Sequence, residues 1–529
     1  MFCAYCGSAL PDGAGFCLNC GANTADTAEN VENPSREEAT SKNKQRTFNP
    51  KKLLAAAIAV VVVVVAIIVV VNIFKPAKYE KIKGAVAIVQ DNGTVAVVPN
   101  GKSKIEIDGQ LREYNLNMDN TIAAITIREN NSSPSTDGYS LYLITDKSQL
   151  ISDGVYSFWL AASGSAVAYT KNSDSKAHTA ELWIYSDGKN TKLSTDFYSG
   201  DGCALSPDGK AAAFVTTDSS GKNTGVIWNG KTTDLGKDIE PFAISNGAKY
   251  IYYIRNNYIR NNTYYVQKGT NTDTREKLCD NMSNLFANKD FSQIVYSDNS
   301  NTYISVNGGG RQTLSGVVNE FVVPDSSAAF NASNTDMVIY GISGFADTYY
   351  QNSANTLVYI NNKLESSNVA RGVSSAFLAD NGKTLTYLRS GTIYKKRSNN
   401  ANAQDEKIVN KDVTSFAATA DGNSVFYTTA DELFYQKGKG KPVTVSNDLS
   451  YRNAIPSISL FKGSTLFFIS DDELYYSTGG KGRLAGGVDG SVSSVSANKF
   501  AVYARSVDTN SHLEYISTDG NSFKLISQN

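Results

Sequence analysis

Four cysteines near the N-terminus carry the clearest chemistry in the chain. Cys3 and Cys6 form one CxxC pair, Cys17 and Cys20 a second, with ten residues between them. Four thiolates satisfy a tetrahedral Zn²⁺, and when all four ligands come from protein no position stays open for water or substrate. The expected cofactor is therefore a structural zinc ion. Gly7 and Gly21 follow the two pairs, where a chain curling around a metal needs positive φ, and Pro11-Asp12-Gly13 supplies the turn between them. A piece of this size cannot bury an adequate core, so metal binding must supply its folding energy.

Elsewhere the reactive inventory is thin. The chain has only two histidines, His178 and His512, and no GxSxG, HExxH or glycine-rich phosphate loop. His178 reads as a surface loop and His512 as an edge or loop. Asp431-Glu432 and Asp471-Asp472 open strands at similar points of a repeat, which fits a turn role better than an acid/base pair. Cys203 and Cys279 are read as lying two blades apart, beyond disulfide reach, and so as buried free thiols. One surface candidate stands out. Tyr253-Ile-Arg255-Asn-Asn is repeated at once as Tyr258-Ile-Arg260-Asn-Asn within a tyrosine-rich stretch. Aromatic faces with Arg and Asn donors can hold a sugar or peptide. The alternative is a lengthened hairpin whose tyrosines pair across strands.

Residues 1–21 resemble the short zinc-ribbon domain found at the N-terminus of many bacterial membrane proteins, with all four ligands and both glycines in place. The resemblance implies either a docking knob for a cytosolic protein partner or a folded cap without one. Residues 1–24 contain no Lys or Arg, so the ribbon has nothing with which to neutralise phosphates, and the net charge of −1 argues against a general polyanion binder. No nucleic-acid partner is expected.

The element that positions the ribbon is Leu53–Val71, an apolar run of nineteen residues with no charge. As a helix rising about 1.5 Å per residue it matches the roughly 30 Å hydrocarbon core of a bilayer. Pro50, Lys51 and Lys52 precede it, and Lys75-Pro76 ends it. Residues 22–50 form a polar linker, acidic then basic, that serves as a plain spacer or lies on anionic lipid. Lys/Arg counts of five before the span and four after barely orient it. The thiolates decide, because a four-cysteine zinc site is safest in a reducing cytosol. The expected topology is a single-pass plasma-membrane protein, N-terminus cytoplasmic, C-terminal region extracytoplasmic.

From Gly84 to Asn529 short strands alternate with Asp-Gly and Asn-Gly turns. A lead-in, polar turn and strand ending in an aromatic recurs, as in ALSPDGKAAAFV (204–215), FLADNGKTLTYL (377–388) and FAATADGNSVFY (416–427). A second unit follows each, such as NTLVYINNK (355–363) and DELFYQKGK (431–439). Aligned on its first core residue, that unit places Leu141, Leu182, Val226, Tyr265, Tyr303, Leu357, Ile393, Leu433, Leu474 and Leu513 about 41 residues apart, near the length of a four-stranded propeller blade. The unit, clearest at Ser206-Pro207-Asp208-Gly209-Lys210, resembles the repeat of Tol-type periplasmic propellers and more loosely WD40.

The expected fold is mainly β. A β-propeller ectodomain over 84–529, with about ten blade-like repeats in one large or two smaller rings, joins a zinc ribbon (1–21), a disordered linker (22–50), a transmembrane α-helix (51–74) and a juxtamembrane segment (75–83). The expected function is recognition or scaffolding of a protein, peptide or glycan at a cell envelope, without catalysis. The alternative is an envelope hydrolase acting on glycan or peptide. Converging carboxylates in a deep central pocket would favour the enzyme, and a flat Tyr/Asn-lined rim would favour binding.

Overall fold

A computed structural model of the chain describes residues 86–527 apart from short stretches, the longest being 130–137 and 450–465. The ribbon cysteines, the linker, the apolar run Leu53–Val71, Tyr258 and Arg260 all lie outside the described residues. Among the described residues no helix is long and apolar enough to cross a membrane, and no His/Cys/Asp/Glu cluster could hold a metal ion.

Nearly everything described is antiparallel β-sheet within one compact unit, Ala77–Asn529. Meanders follow one another along the chain: A (87–108), B (110–155), C (158–198), D (204–237), E (239–280), F (283–314), G (318–371), H (373–410), I (415–446), J (466–487) and K (493–527). Each has four strands, except A and J, which have three among the described residues. C and D share one eight-stranded sheet, joined where Phe197 pairs with Thr216. The first strand of A, Ala87–Asp91, lies beside the first strand of K, Ser493–Ser496, so the two ends of the β region meet. Successive small sheets packed face against face are the blades of a β-propeller.

Nine of the ten aligned positions fall on the third strand of their blade, and Leu474 falls on the middle strand of J. Blade A escapes the repeat pattern because its hairpin, Ala87–Asp91 and Thr94–Val98, carries valines where the others carry an aromatic. Those aromatics have a structural reason. In blade after blade a tyrosine or phenylalanine of the second strand sits opposite one on the third: Tyr253 with Tyr265, Tyr296 with Tyr303, Tyr387 with Tyr394, Tyr427 with Phe434. Ring centroids lie 5.3–5.6 Å apart in these pairs. Each such pair is worth about 0.5–1.5 kcal/mol beyond the area it buries. Arg389 covers Tyr394 at 4.5 Å and Arg311 covers Tyr303 at 4.6 Å, which adds a cation to the stack.

The recurring polar turn is explained by two hydrogen bonds. Its leading residue accepts, on the side chain, the N–H five residues on: Ile122 to Asn117, Ala211 to Ser206, Tyr250 to Ser245, Gln293 to Asn288 and Ser424 to Thr419, at 2.7–3.0 Å. The backbone N–H three residues on donates to its carbonyl, closing a tight turn. That third position is left-handed every time, as Gly209 (φ +69°), Gly422 (φ +67°) or Asn120 (φ +60°). Glycine takes it without cost, hence the Asp-Gly signature. Blade F places Phe291 there (φ +57°), and the ring is fully buried. Burial of that ring offsets the roughly 1–2 kcal/mol penalty of the conformation.

One insertion breaks the plan. After the first strand of G, Val318–Val322, the chain makes a hairpin, Ala329–Asn331 and Met337–Tyr340, before returning to the second strand, Thr348–Asn352. Met337–Tyr340 pairs in parallel with the first strand of F, Ser283–Asn288. Blade F thereby becomes six-stranded.

Candidate functional site

The turns just described converge. Those following the first strands of blades B, C, D, E and F line a single cavity of about 610 Å³. Blade B contributes Asn117, Met118 and Asp119, C contributes Ala162 and Ser163, and D contributes Pro207 and Asp208. Asn246 comes from E, and Lys289 and Asp290 from F.

The turns are stitched to one another. Met118 N–H donates to Ala162 O (2.8 Å), and Ser163 N–H to Pro207 O (2.9 Å). Asp208 N–H then donates to Asn246 Oδ1 (3.0 Å). Asn117 Nδ2 also reaches Ser163 O (3.2 Å), and Ser165 Oγ donates to Asp208 O (2.8 Å). Blades B to E thus present one braced arc. The turn of F is held instead by the inserted hairpin, through Lys289 N–H to Ile342 O (3.2 Å). Met118 and Ala162 join the apolar cluster that includes Ala243, Ala287, Met337 and Ile339, so the lining rests on a packed core.

Three carboxylates and one ammonium face this cavity, and each carboxylate has structural duty. Asp208 Oδ1 accepts from Ser206 Oγ (2.7 Å) and Lys210 N–H (3.2 Å). Asp290 Oδ1 accepts from Ser292 N–H (3.0 Å) and Oγ (2.7 Å), and Asp119 Oδ1 from Thr121 N–H (3.1 Å). Ser163 Oγ pairs with Ser165 Oγ (2.8 Å), and no lining residue is a histidine or cysteine. The arrangement can pack a ligand against Met118, Ala162 and Pro207 and hydrogen-bond it at the rim. It matches neither form anticipated from the sequence, having carboxylates but no tyrosine.

The tyrosine-rich stretch behaves differently from the ligand face expected of it. Tyr253 is only 1% exposed, stacked on Tyr265 with Arg275 above its ring at 5.9 Å. It therefore cannot touch a ligand directly, because its strand is buried on both sides between neighbouring blades. Arg255 is exposed, and the strands Tyr250–Asn257 and Asn261–Lys268 pair as a long hairpin, Asn257 opposite Asn261. Tyr258 and Arg260 are outside the described residues.

Cys203 and Cys279 are both buried and neither is in a disulfide. They sit in adjacent blades rather than two apart. Cys203 precedes the first strand of D, whereas Cys279 lies on the last strand of E, Glu276–Asp280, and not before a first strand. Burial raises both thiols, that of Cys279 to about 12 with help from the nearby charges of Asp298 and Asp280. Neither is poised as a nucleophile. His178 occupies an exposed turn with φ +53°.

Pro207 and Asp208 belong to the recurring turn quoted from the sequence, but nothing there marks the lining residues as one cavity mouth, because each is an ordinary turn residue. Their signal was there in a weak form, as one polar turn recurring after the first strand of each repeat.

No protein-family model matches the sequence, and no curated protein matches it. Solved structures similar to it include a crystal structure of the eukaryotic initiation factor, with 11% identity over 68% of this chain and 95% of that one, at a TM-score of 0.39. TolB from Acinetobacter baumannii shares 17% identity over 43% of this chain and 62% of that one, TM-score 0.26. The β-propeller domain of the Trilobed protease from Pyrococcus furiosus shares 12% over 64% and 97%, TM-score 0.27. Likenesses this low carry nothing about activity, and the propeller reading rests on the chain's own sheet order.

Proposed function

We propose that this β-propeller protein is a membrane-anchored recognition or scaffolding component of a cell envelope. Its ribbon (Cys3, Cys6, Cys17, Cys20) holds a structural zinc ion in the cytosol, Leu53–Val71 crosses the membrane, and the propeller meets a protein, peptide or glycan outside. The observation that carries the recognition role is the mouth framed by five blades. The turns of B to E are fixed to one another and that of F to the inserted hairpin, so a ligand meets a preorganised surface rather than one it must order. Two features favour binding over hydrolysis. Every aspartate at the mouth uses an oxygen to hold its own turn, and the Ser163 hydroxyl is paired with that of Ser165 rather than with a histidine or carboxylate in a nucleophile–base arrangement.

A photo-crosslinking amino acid placed at Ser163, in the full chain in intact cells, tests this reading. A second chain carries the same group at Leu150, an exposed position on the last strand of blade B. Adducts specific to the Ser163 position are expected. Equal labelling from both positions, or none from Ser163, would refute recognition at the mouth. In parallel, impermeant thiol reagents should fail to label Cys3 or Cys6 from outside.

A further inference from the structure

The hairpin inserted into blade G contributes nothing to the meander of its own blade. Its strand Met337–Tyr340 lies along the first strand of F instead, in parallel register from Leu285 opposite Met337 to Asn288 opposite Tyr340. Every other strand ladder among the described residues is antiparallel. The strand reads as a ligand would. Alternate side chains enter two separate pockets, Met337 and Ile339 into the cluster around Ala162, Ala243 and Ala287, and Tyr340 into the one around Phe286 and Phe321. Alanines from blades C, E and F leave the room that the first pair fills. Beyond the strand, Ile342 O and Ser343 O accept from Lys289 N–H and Asn288 Nδ2, so its C-terminal end emerges at the mouth.

We propose that the inner edge of blade F is a slot for an extended peptide, occupied in cis by Met337–Tyr340, and that the partner of the propeller is a polypeptide segment that exchanges with this strand. Adding a strand to a sheet edge draws affinity from main-chain hydrogen bonds and specificity from pockets for alternate side chains. The slot offers both. The required partner is an extended segment with large apolar residues at alternate positions, one of them aromatic. The inference rests on the recognition role above and narrows its ligand from protein, peptide or glycan to an extended peptide.

The probe is a fluorescent peptide of sequence DMVIYGIS, residues 336–343 of this chain, titrated into the full-length protein in detergent and followed by anisotropy. Three proteins are compared: native, Tyr340→Ala to loosen the resident strand, and Ala287→Cys with Ile339→Cys, oxidised to lock it at paired positions. Binding to the native chain should tighten tenfold or more in Tyr340→Ala and vanish in the locked chain, returning on reduction. Binding unaffected by the lock would overturn the proposal, as would no binding to a folded Tyr340→Ala protein at millimolar peptide. Either failure would leave the Ser163 crosslinking result standing, since that reads the mouth and not the slot.

Discussion

Replacing Ser206 by alanine removes one side-chain oxygen and two hydrogen bonds from the turn of blade D. Its Oγ accepts from Ala211 N–H at 2.9 Å and donates to Asp208 Oδ1 at 2.7 Å. Ser206 and Ala211 are both fully buried, so water cannot take the vacated place. A buried N–H left without a partner costs about 1–3 kcal/mol. At 1.4 kcal/mol per factor of ten, opening of that turn should become about 5- to 150-fold more frequent. Native-state hydrogen exchange at the Ala211 amide reads this directly and avoids assigning one melting temperature to a chain of many blades. The fold itself should survive. Blade H already has Ala379 at the equivalent point, and its turn keeps the bonds from Gly382 N–H to Ala379 O and from Ala379 N–H to Thr384 O. Ser206→Thr, which retains the hydroxyl, should recover most of the protection. If Ala211 exchanges no faster in a folded Ser206→Ala protein, the account of the repeat as a side-chain-stapled turn is wrong.

Glycines test the same turn from the backbone side. A Cβ at Gly209 (φ +69°) would lie 2.5 Å from Ser165 Oγ and 2.8 Å from Ala166 Cβ, whereas one at Gly188 (φ +76°) meets open space. Gly209→Ala should therefore cost clearly more than the roughly 1–2 kcal/mol expected of Gly188→Ala, compared by denaturant midpoint. Alkaline pH should weaken the propeller. The Cys279 thiol rises from 9.0 to about 12 by burial, so above pH 9 the folded chain holds a proton that the unfolded chain releases. Stability present at neutral pH is then lost as pH climbs from about 9 to 12, and Cys279→Ala should make that fall shallower in a pH series of urea melts, with Cys203, likewise raised by burial, supplying a further part. Zinc analysis of the purified full chain should find one ion per chain, and Cys17→Ser should abolish it without changing exchange protection in the blades.

The sequence was legible where one physical device is repeated. A hairpin that pairs two aromatics and a turn that needs positive φ leave their mark on several copies, as at Tyr253–Tyr265, Tyr387–Tyr394 and Tyr427–Phe434, which is why the aligned positions land on equivalent strands. Blade A left no such mark, since Val95 and Val97 fill its core without rings. The tyrosines around Tyr253 were harder to place because their alternation looks the same whether the second face meets solvent or the next blade. The hairpin at 329–340 has ordinary strand chemistry, and nothing local to it announces a partner fifty residues upstream. For the mouth the limit is more basic. Asn117, Ala162, Pro207, Asn246 and Lys289 are brought to one place only by the packing of five blades, a property that belongs to no single stretch of sequence.

The seam between blades C and D has a mechanical corollary. Where Phe197 pairs with Thr216, the last strand of one blade bridges to the second strand of the next, so the two blades share one sheet and are coupled at that edge. A protein held by one end and pulled at the other should shed most blades singly but release residues 158–237 in a single jump, about 260–290 Å of chain at 3.3–3.6 Å per residue. In a tethered molecule under load, that double-length rip would be one of two such shock absorbers, since blades F and G are tied likewise through Met337–Tyr340.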